Sequence, residues 1–299
     1  MLDELILAAL QNDTALAEML ASYDGCPAVF KQSAPPDNDD GWDGGSYPRV
    51  VFTVDLRPDP ERKTAGSVLL DIHCADSDAA RPEDIAREAL RVISDAFFTD
   101  ENADSFYVLW NRTDLFPPEN QNTGAEEALV YGATITCELL EFPAQATFSP
   151  DPVAALCEFA NESGDGYTII SGAAQPQGVY RPTDDEPALY CRVVSLSTDA
   201  RQKRSDTWFR AVYALHLMCP GAERRNIFAR RLAGMLQAKT VLILDDGSPF
   251  LVESTDCNPA GDPLRAGQIT VSGRFAALDP LPNITSLDHI YTNLEDLHG

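Results

Sequence analysis

The sequence predicts an α+β fold made of two tandem homologous units, each a small β-sheet with helices packed on one face. Four blocks recur in the same order in the two halves, and each half alternates helical with strand-like periodicity. A length of 299 residues suits two domains of ordinary size. The composition is globular, because 44% of the residues are hydrophobic and 23% are charged.

The repeat is carried by blocks whose offsets along the chain lie between 135 and 145. In the second block, His73 aligns with Met218. A period of this length is too long for a solenoid and predicts two tandem domains. The matched blocks are 47–51 with 190–194, 67–74 with 212–219, Ile85, Leu90 and Ile93 with Ile227, Leu232 and Met235, and 132–137 with 267–272.

Each half is predicted to run helix, strand, strand, helix, strand, strand. Apolar residues at helical spacing begin the chain, and runs of β-branched and apolar residues follow. Pro82 suits the first turn of the second helix, and Ile85, Ala89, Ile93 and Phe97 form its apolar face. In the first half we expect helix at 2–21, strands at 50–56 and 67–74, helix at 82–97, and strands at 106–110 and 129–141.

The two units are predicted to span 1–145 and 150–280, with the boundary in a proline-rich stretch. Asp151 is placed to cap the first helix of the second unit, with Pro152 in its first turn. Residues 281–299 form a tail with apolar residues at steps of three or four. Such a tail is either a helix that docks on a neighbour or a segment folded onto its own domain.

Charge and composition exclude several classes of function. Acidic residues outnumber basic ones 47 to 22, a formal charge of −25, whereas nucleic-acid binders need clustered Lys and Arg. The apolar runs are far shorter than the ~20 residues of a membrane span. The first residues carry no basic stretch, so we expect no signal peptide. We expect the seven cysteines to be buried thiols in a reducing compartment.

A search for catalytic or metal-binding motifs predicts a protein without enzymatic activity, cofactor or metal. The acidic loop 37–45 does not match an EF-hand, because its sixth and twelfth positions hold Trp42 and Pro48. It is interpreted as a solvated, mobile loop. The four histidines show no metal-ligand spacing, and no phosphate loop or nucleophile elbow occurs. The alignment of His73 with a methionine favours a packing role over catalysis by the adjacent Cys74.

Charge is distributed unevenly along the chain. Residues 1–150 carry 28 acids and 9 bases, and residues 151–299 carry 19 acids and 13 bases. This asymmetry suggests head-to-tail contact between an acidic first unit and basic residues of a neighbour, unless the charges only solvate their own faces. The residues expected to contact partners are Asp37, Asp39, Asp40, Trp42, Arg201, Lys203, Arg204, Arg224, Arg225, Arg230, Arg231, Ile284, Leu287 and Tyr291.

The order of elements, with the strand that begins Tyr47-Pro48-Arg49-Val50, resembles the tail-terminator or tail-completion proteins of long-tailed bacteriophages, of the minor tail protein U type. The resemblance covers 1–142 best and extends to 151–279 through the repeat, where Cys191 replaces the proline. It implies a small α+β domain that forms a ring on the tail tube, stops its growth and joins it to the head. It implies no catalytic residues.

This resemblance implies a virion structural protein of the tail, assembled in the bacterial host cytoplasm. Its partners would be further copies of itself, in a ring of three or six chains, together with the tail tube protein and the head–tail connector. Three alternatives stay open: a duplicated intracellular adaptor, a hydrolase with one degenerate repeat, and an acidic DNA mimic. Many of the acidic residues lie in loops instead of on regular elements, which disfavours a DNA mimic. Ring formation would distinguish the phage protein from the intracellular adaptor.

Overall fold

A computed structural model describes residues 1–57, 64–101, 104–122, 127–143, 149–170, 176–198 and 207–277. These residues form a mixed α/β chain with two curled sheets, which confirms the prediction of two sheet-dominated bodies. None of the described helices is long and apolar enough to cross a membrane. The predicted tail 281–299 lies outside the described residues.

The described helices begin where the sequence supplies start signals. The carboxylate of Asp151 accepts a hydrogen bond from the backbone N–H of Val153 at 2.9 Å, so the predicted cap is confirmed. Pro82 occupies the first turn of its helix, followed by two acids at the positive end of the helix dipole. The helices are α1 (Leu2–Asn12), α2 (Thr14–Ala17), α3 (Pro82–Ile93), α4 (Pro152–Glu162) and α5 (Ala222–Ala238).

The described strands outnumber those that the sequence predicted, because several are only two to four residues long and carry no periodic signal. In chain order they are β1 (Ser22–Tyr23), β2 (Cys26–Pro27), β3 (Val29–Lys31), β4 (Arg49–Leu56), β5 (Thr64–Ala75), β6 (Ala96–Thr99), β7 (Ser105–Asn122), β8 (Glu127–Phe142), β9 (Thr168–Ile169), β10 (Gly178–Tyr180), β11 (Ala188–Thr198), β12 (Thr207–Met218), β13 (Val241–Ile243), β14 (Pro249–Cys257) and β15 (Ile269–Ala277).

The two large sheets have corresponding strand orders. The first runs β10-β6-β7-β8-β5-β4-β3, and the second runs β13-β14-β15-β12-β11-β9. Apart from β10, every strand of the first sheet has a counterpart in the second. The outermost pairs β3–β4 and β9–β11 are both parallel, whereas the other pairs are antiparallel. A shift in the β7–β8 register after Trp110 has its counterpart in the β14–β15 register after Val252.

Pairing registers and burial change the residue-by-residue alignment. The shared register shift matches Thr136 with Ser272; Leu69 lies opposite Thr136 and Val212 lies opposite Ser272, so β5 corresponds to β12 at an offset of 143 rather than 145. His73 therefore corresponds to His216 and not to Met218. The alignment of histidine with methionine, which favoured a packing role for His73, is wrong.

The other blocks move by one or two residues. Val50 lies opposite Ile72, and Cys191 lies opposite Leu215, so Arg49 corresponds to Tyr190 instead of the sequence-matched Arg192. In the helices, the buried residues Ile85, Ala86, Ala89 and Ile93 correspond to Phe228, Ala229, Leu232 and Leu236. The sequence-matched Ile227 is exposed.

Each half builds its own core from helix and strand residues. In the first half, alternate β5 residues from Val68 to Cys74 join buried residues of α1 and α3. In the second half, alternate β12 residues from Ala211 to Leu217 join α4 and α5. The period of two along the strands and of three to four along the helices explains which side chains are buried.

One predicted helix end needs correction, and one strand crosses the predicted division between the units. The helix predicted at 82–97 ends at Ile93, and Phe97 lies on β6 instead of on the helix face. The division between units is crossed by β10, which lies at 178–180 but pairs antiparallel with β6 of the first sheet. The order of elements also needs a short strand after the second helix of each half, β6 and β13.

Candidate assembly surfaces

An apolar cluster joins the two sheets. We call it the inter-sheet cluster. Phe142 lies at its centre, with ring centroids 5.2 Å from Phe97 and 5.0 Å from Tyr190, both edge-to-face. Its fully or almost fully buried members are Phe97, Tyr107, Leu140 and Phe142 from the first half, and Ile170, Ala188, Tyr190 and Met218 from the second.

The strand β10 ties the second half to the edge of the first sheet. Tyr180 pairs with Phe97 across the ladder, and their rings stack with centroids 6.5 Å apart. The next residue, Arg181, donates from Nη2 to the backbone oxygens of Val92 and Ser94, at 3.1 and 2.9 Å. These carbonyls lie at the C-terminus of α3, where helix acceptors lack intrahelical partners. The guanidinium therefore caps a helix of the other half.

Polar contacts surround the inter-sheet cluster. Glu138 on β8 accepts two hydrogen bonds from Nη2 of Arg265, at 2.7 and 2.6 Å. The hydroxyl of Tyr190 donates to the backbone oxygen of Pro143 at 2.9 Å. The first sheet thus offers acceptors, and the second half supplies donors. This pattern fixes the orientation of the contact more than it adds to its strength.

His216 is a buried polar residue beside this cluster. Nε of Arg192 donates to its Nε2 at 3.0 Å, and its Nδ1 lies 2.8 Å from the backbone oxygen of Pro263. Because a guanidinium nitrogen only donates, Nε2 holds the lone pair and Nδ1 carries the proton. His216 is therefore a neutral imidazole whose two ring nitrogens both bind groups of its own half, which is the arrangement of a positioning residue.

A cleft of about 580 Å³ opens between the halves, and three arginines line it. Arg91 pairs with Asp13 at 2.6 Å, Arg181 binds the α3 carbonyls, and Nη1 of Arg225 donates to the backbone oxygen of Cys219 at 2.7 Å. Each guanidinium is held by an acceptor of the chain. The described cations at this cleft therefore hold its walls in place.

Aromatic contacts hold Trp42 of the acidic loop against the first half. Trp42 packs edge-to-face against Tyr23 and Phe30, with centroids 5.0 and 5.6 Å apart, and its Nε1 donates to the backbone oxygen of Pro36 at 2.9 Å. The hydroxyl of Tyr23 donates to Asp39 at 2.8 Å.

Charged groups in and beside this loop are bound within the chain. A hydrogen bond from the backbone N–H of Gly41, together with one from the Tyr23 hydroxyl, lowers the pKa of the Asp39 carboxyl. Asp37 forms an ion pair with Arg49, whose guanidinium also lies 4.4 Å from the ring centroid of Tyr47. Asp40 is exposed. The loop thus presents acids from a fixed scaffold.

The predicted basic partner contacts on α5 bind acceptors of their own half. Arg224 lies 3.6 Å from Asp185, and Arg231 lies 2.6 Å from Asp165. Arg225 donates to the backbone oxygen of Cys219, and Nε of Arg230 donates to the backbone oxygen of Asn226 at 3.3 Å. The acidic loop is not among these acceptors. The remaining predicted contact residues, Arg201, Lys203, Arg204, Ile284, Leu287 and Tyr291, lie outside the described residues.

Two buried cysteines carry neutral thiols. Burial raises the pKa of Cys74 and of Cys137 to about 12, so both are neutral thiols at pH 7. Within the described ranges, no group of three or more His, Cys, Asp and Glu side chains could hold a metal ion.

No family model, curated protein or solved structure matches the chain.

Sequence reasoning missed the residues that join the halves. In the sequence, Phe142 lies at the end of the first unit and Tyr190 in a repeated block, a contact role is predicted for neither, and β10 is not predicted. The one available signal was the aromatic character of Phe97, Tyr107 and Phe142, which lie at outward positions of predicted or observed strands. An apolar ring on the outer face of a sheet indicates a second layer that covers it.

Proposed function

We propose that this chain is a non-enzymatic structural protein of the phage tail-terminator or tail-completion type. It self-associates into a ring at the end of a tail tube and joins the tube to the head. In this proposal the two sheets arose by duplication, and the helices of each half lie on one face of its sheet. The partners are further copies of the chain, the tail tube protein and the head–tail connector.

The observation that carries the proposal is the contact between the sheets. Two sheets of corresponding strand order touch through unlike faces, since strands β6–β8 of the first meet strands β11 and β12 of the second. Contacts between unlike faces of similar units are the kind that build rings when the rotation closes. A single chain thus already contains two neighbouring positions of such a ring.

The charge of the chain suits a ring that surrounds DNA. A formal charge of −25, concentrated in the first half, repels phosphate and lets DNA pass without sticking. We expect that neutralising Asp39, Asp40 and Asp43 together slows DNA ejection or lowers phage titre. Unchanged infectivity would remove the acidic lumen from the proposal.

The experiment that tests the function is the mass of the purified chain at low and high salt, with negative-stain imaging, followed by mixing with purified tail tubes. Particles of three or six chains that bind the tube end support the proposal. A monomer that also fails to bind the tube end contradicts it and favours the adaptor alternative.

A further inference from the structure

Within one chain, the sheets contact each other through unlike faces. The first sheet contributes β6, β7 and β8, together with Glu138, to the contact. The second half contributes β10 and the region around Tyr190 and His216. The corresponding regions that contribute no residue to the inter-sheet cluster lie around β13–β15 in the second sheet and around β4–β5 in the first. We call them the β13 face and the β4 face.

The β13 face has an exposed apolar residue, Ile243, at the position where the first sheet has the buried Phe97. β13 is the outermost strand of its sheet, and none of the described strands pairs with its outer edge. Phe97 pairs with Tyr107 and Ile243 pairs with Pro249, in matching registers of β6–β7 and β13–β14. Phe97 is fully buried, whereas Ile243 is 63% exposed. Covering Ile243 would remove apolar surface from water.

The charge on the β13 face is opposite to that on the first sheet. Glu138 lies opposite Leu109, and Arg274 lies opposite Leu251, so the two occupy corresponding positions. Glu138 binds an arginine across the intrachain contact. Arg274 and Arg210 instead flank Glu253, so two guanidiniums surround one carboxylate at this point of the face. An acidic side chain of a partner suits this point.

The β4 face offers that acidic surface. Arg49 and His73 occupy the positions that Tyr190 and His216 hold in the second half. The loop 37–43 precedes β4 as β10 precedes β11, at nearly the same distance along the chain. It carries four acids, which are Asp37, Asp39, Asp40 and Asp43.

We propose that a second copy of this chain docks head to tail, with its β4 face and acidic loop 37–43 on the β13 face of the first copy. This proposal rests on the proposed function and names the surfaces through which its ring is built. The contact repeats the intrachain one with fewer aromatic and more charged residues. We therefore expect it to be weaker and to weaken further as salt rises.

The test uses two variants, each of which blocks one face. Ile243→Arg places a charge on the β13 face, and Asp40→Arg reverses an exposed acid of the loop. Ile227→Arg is the matched control, because Ile227 is also exposed but lies on α5. Far-UV circular dichroism and thermal unfolding verify that each variant folds as the wild type does. Light scattering across a range of concentrations gives the mass.

We expect the wild type and Ile227→Arg to associate and each face variant alone to be monomeric. Mixed together, the two face variants should form a dimer of one chain each and nothing larger, because only one pair of intact faces remains. A symmetric contact would not produce this result.

Two outcomes would overturn the docking. If Ile243→Arg associates as the wild type does, the ring of the proposed function uses other surfaces. If the wild type is monomeric at every concentration, the chain does not self-dock, and binding to the tail tube then decides the proposed function separately.

Discussion

Replacing Phe142 by alanine tests whether the two sheets pack against each other. Phe142 belongs to the inter-sheet cluster and not to the core of the first half, so without the second sheet its ring would lie on an exposed face. In the structure it is fully buried and makes edge-to-face contacts with Phe97, Tyr107 and Tyr190. Truncating a buried phenylalanine costs about 3–5 kcal/mol, whereas truncating an exposed side chain costs less than about 0.5 kcal/mol.

We expect Phe142→Ala to lower the free energy of unfolding by about 3–5 kcal/mol in urea denaturation. Leu115→Ala is the control on the same sheet, because Leu115 is 58% exposed, and it should change stability by less than about 0.5 kcal/mol. A double-mutant cycle with Tyr190→Ala should give a coupling of about 0.5–1.5 kcal/mol. A loss of under about 1 kcal/mol for Phe142→Ala would refute the packed arrangement of the sheets.

Three further predictions concern single residues and can be checked by urea denaturation. Gly234→Ala should stabilise the chain by about 0.5–1 kcal/mol, because this position on α5 has open space for a Cβ. Gly66→Ala should destabilise the chain, because the φ of Gly66 is +146° and a Cβ there would lie 1.8 Å from a backbone oxygen. Equal effects would refute the backbone assignment. Burial, with the Arg49 charge, lowers the pKa of His73 despite two nearby carboxylates, so unfolding takes up a proton below about pH 6.5. Stability should therefore fall as the pH drops from 6.5 towards the lowered pKa, and His73→Gln should remove this part of the pH dependence. A double-mutant cycle on Glu138 and Arg265 should give a coupling energy of only about 0.2–1 kcal/mol, because Arg265 is partly exposed, and this energy should shrink in high salt. A larger coupling energy that does not depend on salt would contradict the assignment of this ion pair to the surface.

The succession of the long helices and strands could be predicted from the sequence, but the short strands and the residue equivalences could not. The sequence alignment of the two repeats pairs Arg49 with Arg192 and His73 with Met218, and each pairing is two positions away from the structural counterpart. A shift of two residues along a strand keeps every side chain on its own face, so burial patterns alone do not reveal it. In the helix the shift is one residue, so the sequence alignment pairs Ile85 with the exposed Ile227 instead of the buried Phe228.

The contact surfaces could be predicted less well, because they depend on residues far apart in the sequence. The order of the acidic loop comes from Trp42 meeting Tyr23 and Phe30, and no local pattern indicates that cluster. β10 is three residues long and pairs with a strand of the other half, so it has neither periodicity nor a nearby partner. The inter-sheet cluster likewise combines residues that only the tertiary fold brings together.

The crossing of β10 has a consequence for biosynthesis. Ribosomes add about 5–20 residues per second, and β10 is made only after β7, β8 and α4. For several seconds the nascent first half carries an unpaired β6 edge with Phe97 and Phe142 uncovered. At high local concentration, a neighbouring nascent chain on the same polysome can supply its β10 instead, which exchanges strands between copies. We therefore expect translation speed across 143–180 to influence whether the chain closes on itself or exchanges β10 with another copy.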